Sequence, residues 1–314
     1  MVKFRNNSNQ TIVVLGAAGF LGRYVVSLLV NRGYIVRAGV RNPDKARHLL
    51  VMGRLRQVII YPCNIIDSND VNDIVNGADI VINLVGILSE NKKQNFINVH
   101  LNGAINIANA CNQNKIKSLT HVSALAIDKS SKSIYAKTKL EAEKNIKSIF
   151  NNTIIIRPSV IFGPEDNFTN KFAKMALISP FMPLINKGLT KFQPVSVLDV
   201  AKAIEIVILD KIHIGNIYNL GGPEIFTFKE IISLILESIE KEKLYINISF
   251  PLAKIMAILT NFLPNAPITL DQVILLKNDN IVTSKSKGFS ELGIKPSSMK
   301  VMIKKYLSRY KVSY

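Results

Sequence analysis

Three residues of this chain have the types and spacing to move a proton to or from a carbonyl. Tyr135 and Lys139 stand in Tyr135-Ala-Lys-Thr-Lys139 at the start of a helical stretch, where a spacing of four puts both side chains on one face. An ammonium beside a phenol favours the phenolate, which suits the tyrosine to general acid and base work. Ser123 ends a strand predicted over Ser118–Val122, at the edge where open α/β sheets place their chemistry, and its hydroxyl could orient a substrate oxygen. A tyrosine and a lysine four apart also arise on helices by chance. The serine-bearing strand end and the glycines upstream argue for chemistry.

Those side chains need a scaffold, and it begins at Thr11–Leu15, a β-branched run that reads as a buried strand. Gly16, Gly19 and Gly22 follow it, before the helical pattern Leu21, Val25, Leu28, Leu29. Gly16 lets the chain turn off the strand, Gly19 lets the backbone approach a pyrophosphate, and Gly22 lets the helix pack closely on the sheet. Amide N–H groups at the helix start then face the anion. Glycines also mark ordinary turns, but between a strand and a helix they form a dinucleotide cradle. Further strands are predicted over Ile35–Val40, Gln57–Pro62, Ala78–Leu84 and Thr153–Arg157, with helical stretches between, as in a doubly wound parallel sheet.

The end of the second strand selects the dinucleotide. An acid there would accept the adenosine ribose hydroxyls and repel a 2′-phosphate. Gly39-Val40-Arg41-Asn42 has no acid, and Arg41 offers a planar fork of donors, so NADP(H) is expected over NAD(H). The plainer alternative for Arg41 is a solvated surface arginine.

Composition narrows the rest. The 314 residues are enough for one large α/β domain or a core with a smaller cap, and the hydrophobic fraction of 48% is that of a globular protein. The net charge of +18 invites an anionic partner. Its lysines are scattered and no aromatic-rich basic stripe accompanies them, so nucleic acid is not expected and an anionic membrane or protein surface is. Cys63 and Cys111 lie in predicted core elements without a CxxC pair and read as buried free thiols. The four histidines lack metal-ligand spacing, and no metal is expected. His100, in Asn98-Val99-His100-Leu101-Asn102, reads as a packed residue rather than a catalyst. Residues Met1 to Gln10 are polar, without a signal core, and no apolar run reaches the roughly 18 residues of a membrane span. The chain is expected in the cytoplasm, lying on a membrane rather than crossing one.

The GxxGxxG spacing and the Ser123, Tyr135, Lys139 set resemble the extended and atypical branches of the short-chain dehydrogenase/reductase superfamily, of the epimerase/dehydratase kind. That resemblance implies that Lys139 holds the nicotinamide ribose and lowers the Tyr135 pKa, while Ser123 orients a substrate. It implies a loop of cofactor contacts at Gly16, Ala18, Gly19, Phe20, Leu21 and Gly22, with Asn64 and Ile65 at the adenine edge. Leu84, Val85 and Gly86 would run along the ribose, and Val122, Tyr135, Pro158 and Val160 would complete the cofactor contacts.

A narrower resemblance covers nearly the whole chain. Ile161-Phe-Gly-Pro-Glu-Asp-Asn-Phe168, Gln193-Pro-Val-Ser-Val-Leu-Asp199, Tyr218-Asn-Leu-Gly-Gly-Pro223 and the stretch Pro267-Ile-Thr-Leu-Asp-Gln-Val-Ile-Leu-Leu-Lys-Asn-Asp-Asn280 are similar to the NADPH-binding accessory subunit of respiratory complex I and its bacterial homologues. This implies a Rossmann-type core over 10–222, with 161–192 partly contributing to a mainly helical cap over 223–314. It also implies a structural or regulatory cofactor and complex I subunits as partners. The alternative is an active NADP-dependent oxidoreductase or sugar-nucleotide epimerase/dehydratase whose small-molecule substrate the sequence does not identify. Within the cap, the apolar stretch Phe250–Leu263 reads either as a helix buried on the core or as a face docked on lipid. The basic tail Lys300 to Lys311 fits acidic headgroups or a solvated helix face.

Overall fold

In the computed structural model of the chain, residues 10–91, 94–130, 132–260, 268–283 and 285–311 are described. The polar residues 1–9, the end of the apolar stretch at 261–263, and Pro267 lie outside them. Strands β1 (Thr11–Leu15), β2 (Ile35–Val40), β3 (Val58–Pro62), β4 (Ile80–Asn83), β5 (Ser118–Val122) and β6 (Thr153–Pro158) alternate with helices α1 (Phe20–Asn31), α2 (Ser68–Val75), α3 (Gly103–Gln113) and α4 (Ile134–Ile149). With the edge strand Ile217–Leu220 these form a seven-stranded sheet ordered edge strand, β6, β5, β4, β1, β2, β3. The order reverses at β1, and the carboxyl ends of β1 and β4 flank the crevice where such sheets bind ligands. The register pairs Leu15 with both Gly39 of β2 and Asn83 of β4.

Contacts divide the chain into two units interleaved in sequence. The first takes residues up to Ala124, Thr138–Arg157 and Val200–Tyr218; the second takes Leu125–Lys137, Pro158–Asp199 and the chain from Asn219 onward. The β-branched runs that form the strands also fill the first core, in which Val13, Leu15, Val81 and Leu119 pack against Ile74, Ile107 and Ile146. Cys63 and Cys111 are buried free thiols there, and burial pushes the Cys63 thiol up to about 12.

The remaining helices are α5 (Thr169–Ile178), α6 (Val197–Val207), α7 (Phe228–Ser238), α8 (Phe250–Thr260), α9 (Leu270–Leu275) and α10 (Met299–Leu307). The second core joins Phe162, Phe192 and Phe228 to Ile231 and Ile235 of α7 and to Met299, Ile303 and Leu307 of α10. A capping box between Thr227 and Glu230 starts α7. The region after Gly222 also holds a strand that the sequence reading did not anticipate. Leu244–Ile248 pairs in parallel with Phe181–Ile185, some sixty residues earlier.

The basic tail is a packed element. Lys304 pairs with Glu237 at 2.7 Å and Lys311 with Glu240 at 2.5 Å, while Lys300 lies over the Phe226 ring. Helix α8 has the opposite character. It buries only Ala253 and Ala257 and exposes Leu252, Ile255, Ile258 and Leu259. Among the described residues no helix is long and apolar enough to cross a membrane.

Candidate functional site

The glycine turn sits where β1 leaves the sheet. Gly16 has φ of +81° and donates its N–H to the Gly39 carbonyl at 3.0 Å, which brings the end of β2 beside the turn. A Cβ at Gly22 would stand 2.3 Å from the Gly16 carbonyl oxygen, so only glycine allows the first turn of α1 to approach the loop this closely. Gly19 caps α1 without a side-chain hydrogen bond, and the first turn holds no acid, as a pyrophosphate requires. Ala18 and Phe20 are half-buried and Leu21 is buried. Arg41 is exposed, two residues past Gly39. Beyond β3, Ile65 is buried in the first core, and the exposed Asn64 accepts the Ile66 N–H at 3.4 Å.

The loop after β4 lies against this turn. Leu84 donates its N–H to the Leu15 carbonyl at 3.0 Å, Val85 donates to Asn83 Oδ1 at 3.0 Å, and a Cβ at Gly16 would meet both residues at 3.3 Å. Across the loop, a Cβ at Gly86 would lie 3.4 Å from Lys139 Nζ. That ammonium is buried and donates to the Val122 carbonyl at 3.1 Å. Burial pulls its pKa down to about 8, although Glu143 works the other way.

Two buried histidines share the space around Lys139. His121 of β5 pairs through Nδ1 with Asn83 Nδ2 at 3.0 Å, and His100 sits on a π turn, Ile97–Asn102, that leads into α3. Burial first, and the Lys139 charge second, push His121 down to about 3 and His100 down to about 2, so both are neutral near pH 7. At the end of β5, Ser123 donates its N–H to the Ile156 carbonyl at 2.8 Å. Its buried hydroxyl, like Thr120 Oγ1 and His121 Nε2 on the same strand, has no hydrogen-bond partner among the described residues.

The first unit therefore brings together the glycine turn, Leu84–Gly86, Val122, Ser123 and Lys139. The residues fit a dinucleotide: a backbone cradle for the diphosphate at one end, and a cation with an unmatched buried hydroxyl at the other. Tyr135, Pro158 and Val160 belong to the second unit. Tyr135 lies one turn before Lys139 on α4, and burial with the nearby charge of Asp271 pushes its phenol up to about 12, opposite to the lowered value expected from the sequence. Asp271, the second residue of α9, accepts from Ser133 Oγ and from the Ile134 N–H, both at 2.7 Å, and so caps the start of α4. The Pro158 carbonyl accepts the Leu125 N–H, and the Val160 carbonyl accepts the Val195 N–H, each at 3.0 Å.

The sequence reading passed over Asn83, His121 and Asp271. His121 carried a signal, since it is an imidazole within a sheet strand, two residues before Ser123. Asp271 carried none of its own, because its partners lie more than 130 residues away.

Comparison with known proteins follows the same geometry. Residues 12–221 match the NAD dependent epimerase/dehydratase family. Over 310 residues, 95% of this chain and 77% of the other, it is 33% identical to NADH dehydrogenase (ubiquinone) 1 alpha subcomplex subunit 9, mitochondrial, of Arabidopsis thaliana. It is 31% identical over 303 residues to the mitochondrial NADH-ubiquinone oxidoreductase 40 kDa subunit of Neurospora crassa, covering 96% of this chain and 80% of that one. Among solved structures, a UDP-glucuronic acid 4-epimerase from Bacillus cereus, in complex with UDP-glucuronic acid and NAD, shares the fold, with a TM-score of 0.73 at 17% identity over 96% of this chain and 99% of that one.

Proposed function

The chain belongs to the NAD dependent epimerase/dehydratase family, and on that premise we propose that it binds NADP(H) as an accessory-type subunit of respiratory complex I, with a structural or regulatory cofactor. The observation that carries this reading is the similarity to two NADH-ubiquinone oxidoreductase subunits over 95% and 96% of the chain. Gly16, Gly19 and Gly22 hold the diphosphate, Arg41 the 2′-phosphate, Asn64 and Ile65 the adenine edge, and Lys139 the nicotinamide ribose. Leu84, Val85, Gly86, Val122, Pro158 and Val160 line the remainder. Bound there, the nicotinamide would supply hydride chemistry. The chain's own proton donor is poorly tuned to accompany it, because a phenol pushed up to about 12 is a weaker acid than an ordinary tyrosine. A ligand at a thousandfold excess over its Kd stabilises a fold by roughly 4 kcal/mol without turnover.

One observation favours a second reading, an active oxidoreductase or sugar-nucleotide epimerase/dehydratase using Ser123, Tyr135 and Lys139. Among the described residues the buried Ser123 hydroxyl has no hydrogen-bond partner, as a group awaiting a substrate oxygen would have none. One experiment separates the two. Protein purified without added nucleotide is denatured and the released cofactor identified, and the retained NADPH is challenged with carbonyl compounds. We expect stoichiometric NADPH that no substrate oxidises; consumption lost in Tyr135→Phe would make it an enzyme. Arg41→Asp should weaken NADPH binding at least tenfold more than NADH binding, and equal losses would remove Arg41 from the 2′-phosphate.

In this reading the protein sits peripherally on the inner, cytoplasmic face of an energy-transducing membrane. Support comes from the exposed apolar residues of α8, a helix whose one charged side chain is Lys254, within a chain of net charge +18. Co-sedimentation with anionic vesicles in low salt is expected, with loss in Ile255→Asp. An unchanged bound fraction in that variant would take α8 off the membrane.

A further inference from the structure

His100 joins the two chain segments that border Lys139. Its Nε2 accepts the Ile87 N–H at 3.0 Å, from the loop after β4, and its Nδ1 lies 3.4 Å from Thr138 Oγ1, on the helix residue just before Lys139. An acceptor from a backbone N–H must keep its lone pair, so the ring proton is assigned to Nδ1, which donates to the Thr138 hydroxyl. Phe96 stacks on the ring at 5.3 Å between centroids and 25° between planes, which fixes the third side. Gly86 lies between the two groups. A Cβ there would be 3.4 Å from Lys139 Nζ and 3.8 Å from His100 Nε2.

The π turn explains how the ring arrives. An extra residue in Ile97–Asn102 widens the helix by one position and turns a side chain out of the regular helical stripe, a device common at functional sites. His100 is buried to 2% exposure, so the ring is held by those contacts rather than by solvent. A purely packed residue would need no acceptor aimed at a loop amide. This one supplies a neutral acceptor and a donor in one rigid plane, to two elements that approach the same ammonium.

We propose that His100 is a positioning residue for the nicotinamide-side ribose, locking the Leu84–Ile87 loop to the Thr138–Lys139 turn of α4 so that Gly86 and the Lys139 ammonium face the cofactor in a fixed arrangement. The proposal rests on the NADP(H) reading above. Its ligand contact is limited to one half of the cofactor, and that permits a specific test.

NADPH and adenosine 2′,5′-bisphosphate are titrated into the full chain as wild type, His100→Leu, His100→Gln and Thr138→Val. The bisphosphate carries the adenine and the 2′-phosphate but lacks the nicotinamide and its ribose. His100→Leu keeps the bulk and strands the Ile87 N–H, and should weaken NADPH about tenfold while bisphosphate binding stays within about twofold. Gln offers an amide oxygen to the same N–H and should recover NADPH binding to within about threefold of wild type. Equal loss of both ligands, failure of Gln to rescue, or unchanged NADPH binding in His100→Leu would each overturn the assignment. Should His100→Leu not fold, Thr138→Val decides, since selective weakening of NADPH supports the lock and unchanged binding refutes it. A wild type that binds neither nucleotide would instead bring down the cofactor reading, and this inference with it.

Discussion

Two buried polar centres in this chain are built on opposite terms. In the second unit the Asp166 carboxylate accepts from the N–H groups of Gly163, Phe168 and Thr169 at 3.0, 2.8 and 2.5 Å, from Thr169 Oγ1 at 2.6 Å and from Tyr306 OH at 3.3 Å. Every lone-pair direction has a donor, and the result starts α5 and ties α10 to it. In the first unit, the buried Lys139 ammonium donates to the Val122 carbonyl, two neutral histidines stand nearby, and Ser123, Thr120 and His121 each carry a buried atom without a hydrogen-bond partner among the described residues. A saturated cluster holds the chain together; an unsaturated one costs free energy in the empty protein and is tolerable where a ligand completes it.

The largest expected consequence is acid lability confined to the first unit. His100 and His121 are held far below their ordinary 6.5 when folded, and the unfolded chain takes up protons on both as the pH falls through that value. Their contribution is fully present above pH 6.5 and is lost below it at about 1.4 kcal/mol per pH unit for each, some 5 kcal/mol for the pair by pH 4.5. Amide exchange, corrected for its intrinsic rate, should show β4 and β5 losing protection over that interval while α10 keeps its own. Loss in step at both would erase the contrast between the two centres. A double His100→Gln, His121→Gln variant should flatten the slope.

Next in size is the converse experiment in the second unit. Asp166→Ala strands the buried N–H groups of Gly163 and Thr169 and the part-buried one of Phe168, while the Tyr306 hydroxyl keeps Thr169 Oγ1 as its partner, and should cost about 3–4 kcal/mol in urea unfolding at pH 7, with NADPH retention unchanged in the folded fraction. A cost under about 1 kcal/mol would mean that the saturated centre is no more important to stability than a surface cap.

The sequence exposed the two centres unequally, for physical reasons. β1, β2 and β5 have the bounds read for them, and the glycine turn lies where its spacing put it, because both depend on neighbours in sequence. Asp166 was visible only as one letter of a family resemblance, since Tyr306 reaches it across 140 residues. The strand Leu244–Ile248 escaped because four of its five residues are exposed, which hides the alternation that marks a half-buried strand. The π turn at Ile97–Asn102 reads as ordinary helix, since no periodicity marks a single inserted residue. In α8 the apolar character was plain, but the exposed face is the leucine and isoleucine side and the buried face is two alanines.

The smallest effect reverses sign and is the sharpest test of the contrast. Lys139 titrates near pH 8 when folded and at 10.5 when unfolded, so the folded chain binds fewer protons between those values and stability rises with pH across that window. Below pH 8 both states carry the charge, and the folded state bears its full burial cost. Lys139→Met removes that cost together with the hydrogen bond to the Val122 carbonyl, and should stabilise the cofactor-free protein by roughly 2 kcal/mol at pH 7. The gain should shrink steadily toward pH 10, and the same variant should lose NADPH binding. Such a variant, firmer without its ligand and unable to hold it, is what a site kept for binding predicts. Destabilisation at pH 7 would instead show Lys139 to be a satisfied structural group like Asp166, and the difference between the two centres would be one of composition alone.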